Sequence, residues 1–172
     1  MTIRYQEVVC GFILPLVTAG GSKQKEEGVE FKLLCAQRPD DAEHFASMYE
    51  FVGGKVDPGE NHHGALVREI KEELDVVVEI VEEIPAFHFN HAPKMDKKTG
   101  GQIEFQLYFY WCRLLPNRDG SEPIPKALAS QRVVWLTPKE MNEVRFCPGD
   151  DDIIEALGNG TLRPGSLQRG TA

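Results

Sequence analysis

Residues Gly53 to Val76 read GGKVDPGENHHGALVREIKEELDV, and this stretch decides the fold. Leu66, Ile70 and Leu74 recur at every fourth residue, so the spacing predicts a helix from about His62 to Leu74 with one apolar stripe docked on a sheet. At ~100° per residue, Glu69, Glu72 and Glu73 fall at i, i+3 and i+4 and share a second face. Like charges so placed repel by roughly a few tenths of a kcal/mol per pair when solvated. A purely structural helix gains nothing from that crowding, although a solvated acidic face is what most such runs are. A hard divalent cation reverses the sign of the effect, because Mg²⁺ or Mn²⁺ prefers oxygen ligands and keeps waters that a phosphate can replace.

The residues around those glutamates suit the same chemistry. Arg68 precedes the first of them, and a guanidinium there can hold a neighbouring carboxylate in a fixed orientation through a bidentate pair. Gly53 and Gly54 let backbone approach the site where a side chain would not fit. Pro58-Gly59 turns the chain so that Glu60 faces the start of the helix. The unit reads as a loop and helix that hold metal against a diphosphate.

Working outward, the chain has 172 residues, 19 of them Lys or Arg and 27 Asp or Glu, for a net charge of −8. Ten carboxylates between Glu50 and Glu83 face only Lys55, Arg68 and Lys71, so that segment alone carries −7. The overall sign excludes a surface that grips a nucleic-acid polymer or anionic lipid. The length suits one domain able to bury a full core. No apolar run approaches membrane-spanning length, and the start, MTIRYQEVV, lacks the uninterrupted apolar stretch of a secretory leader. Cys10, Cys35, Cys112 and Cys147 have no metal-finger or Cys-x-x-Cys spacing, and the first three sit in apolar runs as buried thiols. The expected compartment is the cytoplasm.

Strands and helices are mixed along the chain. Glu7–Val17, Phe31–Gln37, Tyr49–Val52, Val76–Val81, Ile103–Leu114 and Val133–Leu136 read as strands, with Ile103–Leu114 central because it is aromatic and nearly continuous. Thr18–Gly28, Asn90–Gly101 and Pro116–Ser130 read as loops, and Pro39–Met48 as an irregular connection. Thr137-Pro138-Lys139-Glu140 carries a capping box that starts a helix, and Asp151–Leu157 forms another, stopped by Gly158. Trp111 and Trp135 read as core residues, and His62 and His63 as solvent-facing. With no repeat and no linker, one α+β or α/β domain is expected.

The stretch resembles the signature of the Nudix hydrolases, Gly-x5-Glu-x7-Arg-Glu-U-x-Glu-Glu-x-Gly-U, where U is a bulky apolar residue. Gly54, Glu60, Arg68, Glu69, Ile70, Glu72, Glu73 and Val76 fall in register. Asp75 stands where the pattern has Gly, a mild change because Asp tolerates the left-handed conformation of a helix cap. The resemblance implies an α/β/α sandwich with a mixed sheet in a single domain over residues 1–172, with a core of about 7–157 and an irregular tail at 158–172. The segment His44–Gly54 and the end Gln131–Leu157 are similar to the MutT-like branch, although Val52 replaces the proline common before the double glycine.

That resemblance implies metal-dependent hydrolysis of a nucleoside triphosphate, possible substrates including 8-oxo-dGTP, to a monophosphate and pyrophosphate. Glu69, Glu72, Glu73 and the Gly53 carbonyl are the implied ligands of Mg²⁺ or Mn²⁺, with Glu69, oriented by Arg68, as general base. Arg38, His44, Glu50 and Asp150 are the implied nucleotide contacts, and Gly54 and Glu60 shape the motif. Asp150 also competes for a helix-capping role. Some relatives use an acid in the loop before the last strand; Ala129 occupies that position here, leaving the box glutamates, Glu104 or Glu122 to serve. The partner is a small nucleotide, and the chain is expected as a monomer or homodimer. Rival readings are a hydrolase of linked nucleoside diphosphates such as ADP-ribose, and a domain that senses nucleotide without cutting it. The proline motif of the ADP-ribose branch and the signatures of the coenzyme A and NADH branches are missing.

Overall fold

Leu66, Ile70 and Leu74, joined by Ala65, are fully buried, so the predicted stripe is the face by which the helix docks. The computed structural model describes residues 3–16, 31–81, 87–97 and 99–164. The elements run β1 (Ile3–Leu14), β2 (Leu33–Gln37), β3 (Tyr49–Phe51), β4 (Gly53–Lys55), α1 (His62–Leu74), β5 (Val78–Ile80), β6 (Phe87–Asn90), β7 (Lys94–Met95), β8 (Gln102–Leu114), β9 (Arg132–Leu136), α2 (Pro138–Met141) and α3 (Asp151–Gly158). The expected loop at 18–28, Val17, Glu82 and Glu83, and the tail beyond residue 164 lie outside the described residues.

β1 and β8 pair in parallel from Ile3 opposite Gln102 to Leu14 opposite Arg113. β4 pairs antiparallel with β1, and β5, β6 and β7 pair antiparallel with β8, giving a mixed sheet with β8 at its centre. A smaller antiparallel sheet has the order β3-β2-β9. The period of two in a strand divides its side chains between two cores. Leu34 and Ala36 of β2 join Val9 and Ile13 of β1 around α1, whereas Leu33 and Cys35 join Phe12, Phe109 and Trp111 against α3. A helix therefore covers each side, which is the sandwich expected. β8 reads as an apolar run from Leu107 to Cys112 because there its alternate side chains enter the two cores.

Several expectations change in detail. β1 begins at Ile3 rather than Glu7, since pairing with β8 supplies its ladder even where its side chains are polar. The expected loop 90–101 contains β7, whose exposed Lys94 and Met95 give no alternating signal. Val76 is buried but precedes β5, and Phe31 precedes β2. The helix after Thr137 is one turn with the capping box in place. Gly158 does not stop α3; Asn159 caps it and Gly160 takes the left-handed turn. His62 does not face water: its ring packs 4.3 Å from that of Tyr108, and Nδ1 lies 2.8 Å from the Tyr110 hydroxyl. His63 is exposed, as expected. Trp111 is buried and Trp135 packs on the α1 core, both as core residues.

Candidate active site

Asn61 caps α1, its side chain accepting the Gly64 N–H at 2.7 Å, and this fixes where the acidic face begins. From that start, Arg68 projects toward the turn preceding the helix. Its Nε and one terminal nitrogen donate to the two oxygens of Glu60 at 3.0 and 2.8 Å, the bidentate pair. The other terminal nitrogen donates to Glu69 Oε1 at 2.8 Å. A further bond goes to the Lys55 carbonyl at 3.1 Å, which ties α1 to the end of β4. The fork is thus spent on Glu60, and Glu69 is held by one bond that leaves its second oxygen free of the arginine. Glu60 is held below the usual carboxylate range by Arg68.

The paired glycines meet two different constraints. A Cβ on Gly53 would collide with the Val9 carbonyl, because β4 lies hard against β1 there. A Cβ on Gly54 would collide with the Glu69 carboxyl group. The backbone at Gly54 and the Glu69 carboxylate therefore share one small space, so a side chain at 54 would push the carboxylate away from its present place.

Glu69, Glu72 and Glu73 lie on one face as the spacing predicts. Glu72 is mostly exposed, with 60% of its side-chain surface free, while Glu69 keeps 17%. The Glu73 carboxyl is pushed up to about 7, first by burial and then by Glu50, Glu69 and Glu72. Among the described residues no three acidic, histidine or cysteine side chains close tightly enough to enclose an ion. The set nevertheless fits a hard divalent cation: its three side chains are all carboxylates on one helix face, and the charges of Glu69 and Glu72 add to burial in raising the Glu73 carboxyl.

Glu50 joins this face to a second group. Arg38 donates to both oxygens of Glu50, at 3.0 and 3.3 Å, and to the His44 carbonyl at 3.1 Å. The His44 ring points elsewhere: it lies near Glu43 and is 60% exposed, so His44 enters the group through its backbone. Asp150 is only 7% exposed, at the N-cap position of α3, and makes no side-chain capping bond. The Asp150 side chain therefore does not cap α3. Burial, then Glu50 and Asp151, push the Asp150 carboxyl up to about 7.

Cys147 is a neighbour that sequence reasoning missed. Its Sγ lies 3.8 Å from Glu50 Oε2, and its N–H donates to the Tyr49 carbonyl. No periodicity announces it; only the bridging of segment 145–147 to β3 brings it in. Glu104 stands in register with Tyr5 at the far end of β8, and Glu122 lies in the exposed connection before β9. Neither is joined to the box by a described hydrogen bond or ion pair.

Comparison with known proteins agrees with this geometry. The model of the NUDIX domain family matches residues 22–157. The CTP pyrophosphohydrolase of Escherichia coli is 31% identical over 126 residues, covering 73% of this chain and 82% of the relative. The 8-oxo-dGTP diphosphatase of Haemophilus influenzae is 30% identical over 132 residues, covering 77% and 86%. Among solved structures, the E. coli ORF135 protein superposes with a TM-score of 0.58 at 27% identity, covering 95% of this chain and 96% of that one. With a signature assembled around Arg68 and a family match over most of its length, this chain belongs to the NUDIX domain family and is a hydrolase.

Proposed function

We propose that the protein is a nucleoside triphosphate pyrophosphohydrolase that requires Mg²⁺ or Mn²⁺ and acts as one domain. The observation that carries this reading is Glu50, which is held by Arg38 at 3.0 Å, lies 3.8 Å from Cys147 Sγ, and adds to burial in raising the carboxyls of Glu73 on the α1 face and Asp150 before α3. One end of the site suits a phosphate chain and the other suits a base. Glu69, Glu72, Glu73 and the Gly53 carbonyl would hold the cation. When bound, such a cation supplies positive charge to the phosphates and makes water more acidic.

The chain's own groups divide the remaining work. Glu69, kept in place by Arg68, uses its free oxygen to take a proton from the attacking water. The water oxygen bonds to phosphorus as one anhydride P–O bond breaks, releasing a nucleoside monophosphate and pyrophosphate. Arg38, already oriented by Glu50 and the His44 carbonyl, brings a positive group to the nucleotide.

Asp150 reads the base edge. In its acid form the carboxyl offers one donor and one acceptor, which complements the N3 and amino group of cytosine. As a carboxylate it offers only acceptors, which complement the N–H groups of guanine. The relatives named for CTP and for 8-oxo-dGTP fall on these two bases.

Steady-state turnover of cytosine, guanine and 8-oxoguanine triphosphates, with Glu69→Gln, Glu72→Gln and Glu73→Gln as controls, tests this assignment. Full activity in the variants would overturn it. Tight nucleotide binding without turnover in calorimetry would favour a sensing domain instead.

A further inference from the structure

Asp75 departs from the family signature, and the structure gives the departure a partner. It sits at the C-cap of α1 with φ 56° and ψ 31°, the left-handed conformation that a glycine adopts without strain. Its N–H donates to the Lys71 carbonyl at 3.0 Å. Its carboxylate does what a glycine cannot: Oδ2 accepts from Lys126 Nζ at 2.6 Å, and Oδ1 accepts from Lys71 Nζ at 2.5 Å. These two lysines hold the Asp75 carboxyl down at about 2.

Lys126 belongs to the connection between β8 and β9, and its backbone follows its side chain. The Lys126 N–H donates to the Leu74 carbonyl at 2.9 Å, and the Leu128 N–H to the Glu73 carbonyl at 3.0 Å. Carbonyls that a helix end leaves without partners are thus satisfied by the connection. One of them belongs to Glu73, whose carboxyl lies on the acidic face. The connection brings no acid at position 129, so its described link to the box is this fastening. Exposed ion pairs contribute little to global stability, so the fastening acts on geometry.

We propose that Asp75 is a positioning residue: paired with Lys126, it clamps the 116–130 connection to the last turn of α1 and so fixes Glu72 and Glu73. The inference rests on the reading that those carboxylates hold the cation. Asp75→Gly and Asp75→Asn both tolerate the left-handed cap while removing the charge, and Lys126→Met removes the other partner.

Three measurements on these full-length variants are decisive: kcat and KM for the nucleotide, Mn²⁺ affinity by direct binding without nucleotide, and amide exchange at Lys126 and Leu128. In each variant kcat falls about tenfold with KM unchanged, Mn²⁺ affinity weakens by a similar factor, and both amides exchange faster. The Asp75→Asn/Lys126→Met double variant is no worse than either single one. Lower thermal stability with kcat and Mn²⁺ affinity unchanged overturns the clamp. Glu73→Gln, measured in parallel, separates the two claims. If it is inactive while the Asp75 variants keep full kcat, only the clamp fails; if it is fully active, the site reading beneath the clamp fails.

Discussion

Gly54 and Glu69 occupy adjoining space so closely that a methyl group on Gly54 would overlap the glutamate carboxyl. Gly54→Ala therefore displaces Glu69 and breaks its bond to Arg68. Turnover is expected to fall about 100-fold or more, while thermal stability changes little, because the overlapped atoms are the movable end of the Glu69 side chain. Paired measurements of kcat and thermal unfolding check this, and wild-type kcat in the alanine variant would contradict it.

The guanidinium fork of Arg68 spans Glu60, Glu69 and the Lys55 carbonyl at once. Lysine keeps the charge but not the fork. Arg68→Lys is expected to lower kcat about 10- to 100-fold, and Glu60→Gln to lower it by a similar factor. The double variant should be less than multiplicative, because both changes release the same carboxylate network.

Glu73 and Asp150 bind their protons more tightly when folded, up to about 7 in each case, against 4.5 and 3.8 for ordinary side chains. The stability they contribute is fully present below those ordinary values and is lost as pH rises through about 7. Without divalent cations, the melting temperature should fall between about pH 5 and about pH 8. Glu73→Gln should flatten that fall and stabilise the protein by on the order of 1–2 kcal/mol at the upper end. Added Mg²⁺ should raise the melting temperature most at high pH, where the carboxylates are ionised. A melting temperature that climbs with pH in the cation-free protein would contradict this electrostatic picture.

If Asp150 reads the base, its protonation sets the preference. The ratio of kcat/KM for cytosine over guanine triphosphates should fall as pH rises through about 7. Asp150→Asn, which always offers a donor and an acceptor, should make that ratio independent of pH. A ratio that tracks pH equally in both proteins would remove Asp150 from base reading.

The helix and its two faces were legible because Leu66, Ile70 and Leu74 repeat at the helical period and the glutamates occupy a second set of the same period. The strand character of 103–114 was legible because Ile103 to Leu107 alternates apolar and polar residues and Leu107 to Cys112, whose side chains enter both cores, is unbroken apolar. Much less showed where tertiary contact decides. Ile3–Gln6, with Arg4 and Tyr5 exposed, continues β1 only because β8 runs beside it, and exposed Lys94 and Met95 pair with β8 without any apolar pattern. Local sequence placed His62 in water, but Tyr108 and Tyr110, 46 and 48 positions away, cover it. Asp75 was legible as a left-handed cap; its bond to Lys126 spans 51 positions and left no local trace.

The products of turnover test the central claim most directly. With Mg²⁺ present, phosphorus NMR of reactions on CTP and on 8-oxo-dGTP should show equal amounts of nucleoside monophosphate and pyrophosphate from at least one of them. Chelation of the cation, Glu72→Gln or Glu73→Gln should suppress both products. Release of nucleoside diphosphate and inorganic phosphate would contradict the account, as would cleavage of ADP-ribose into two monophosphate products with triphosphates left intact.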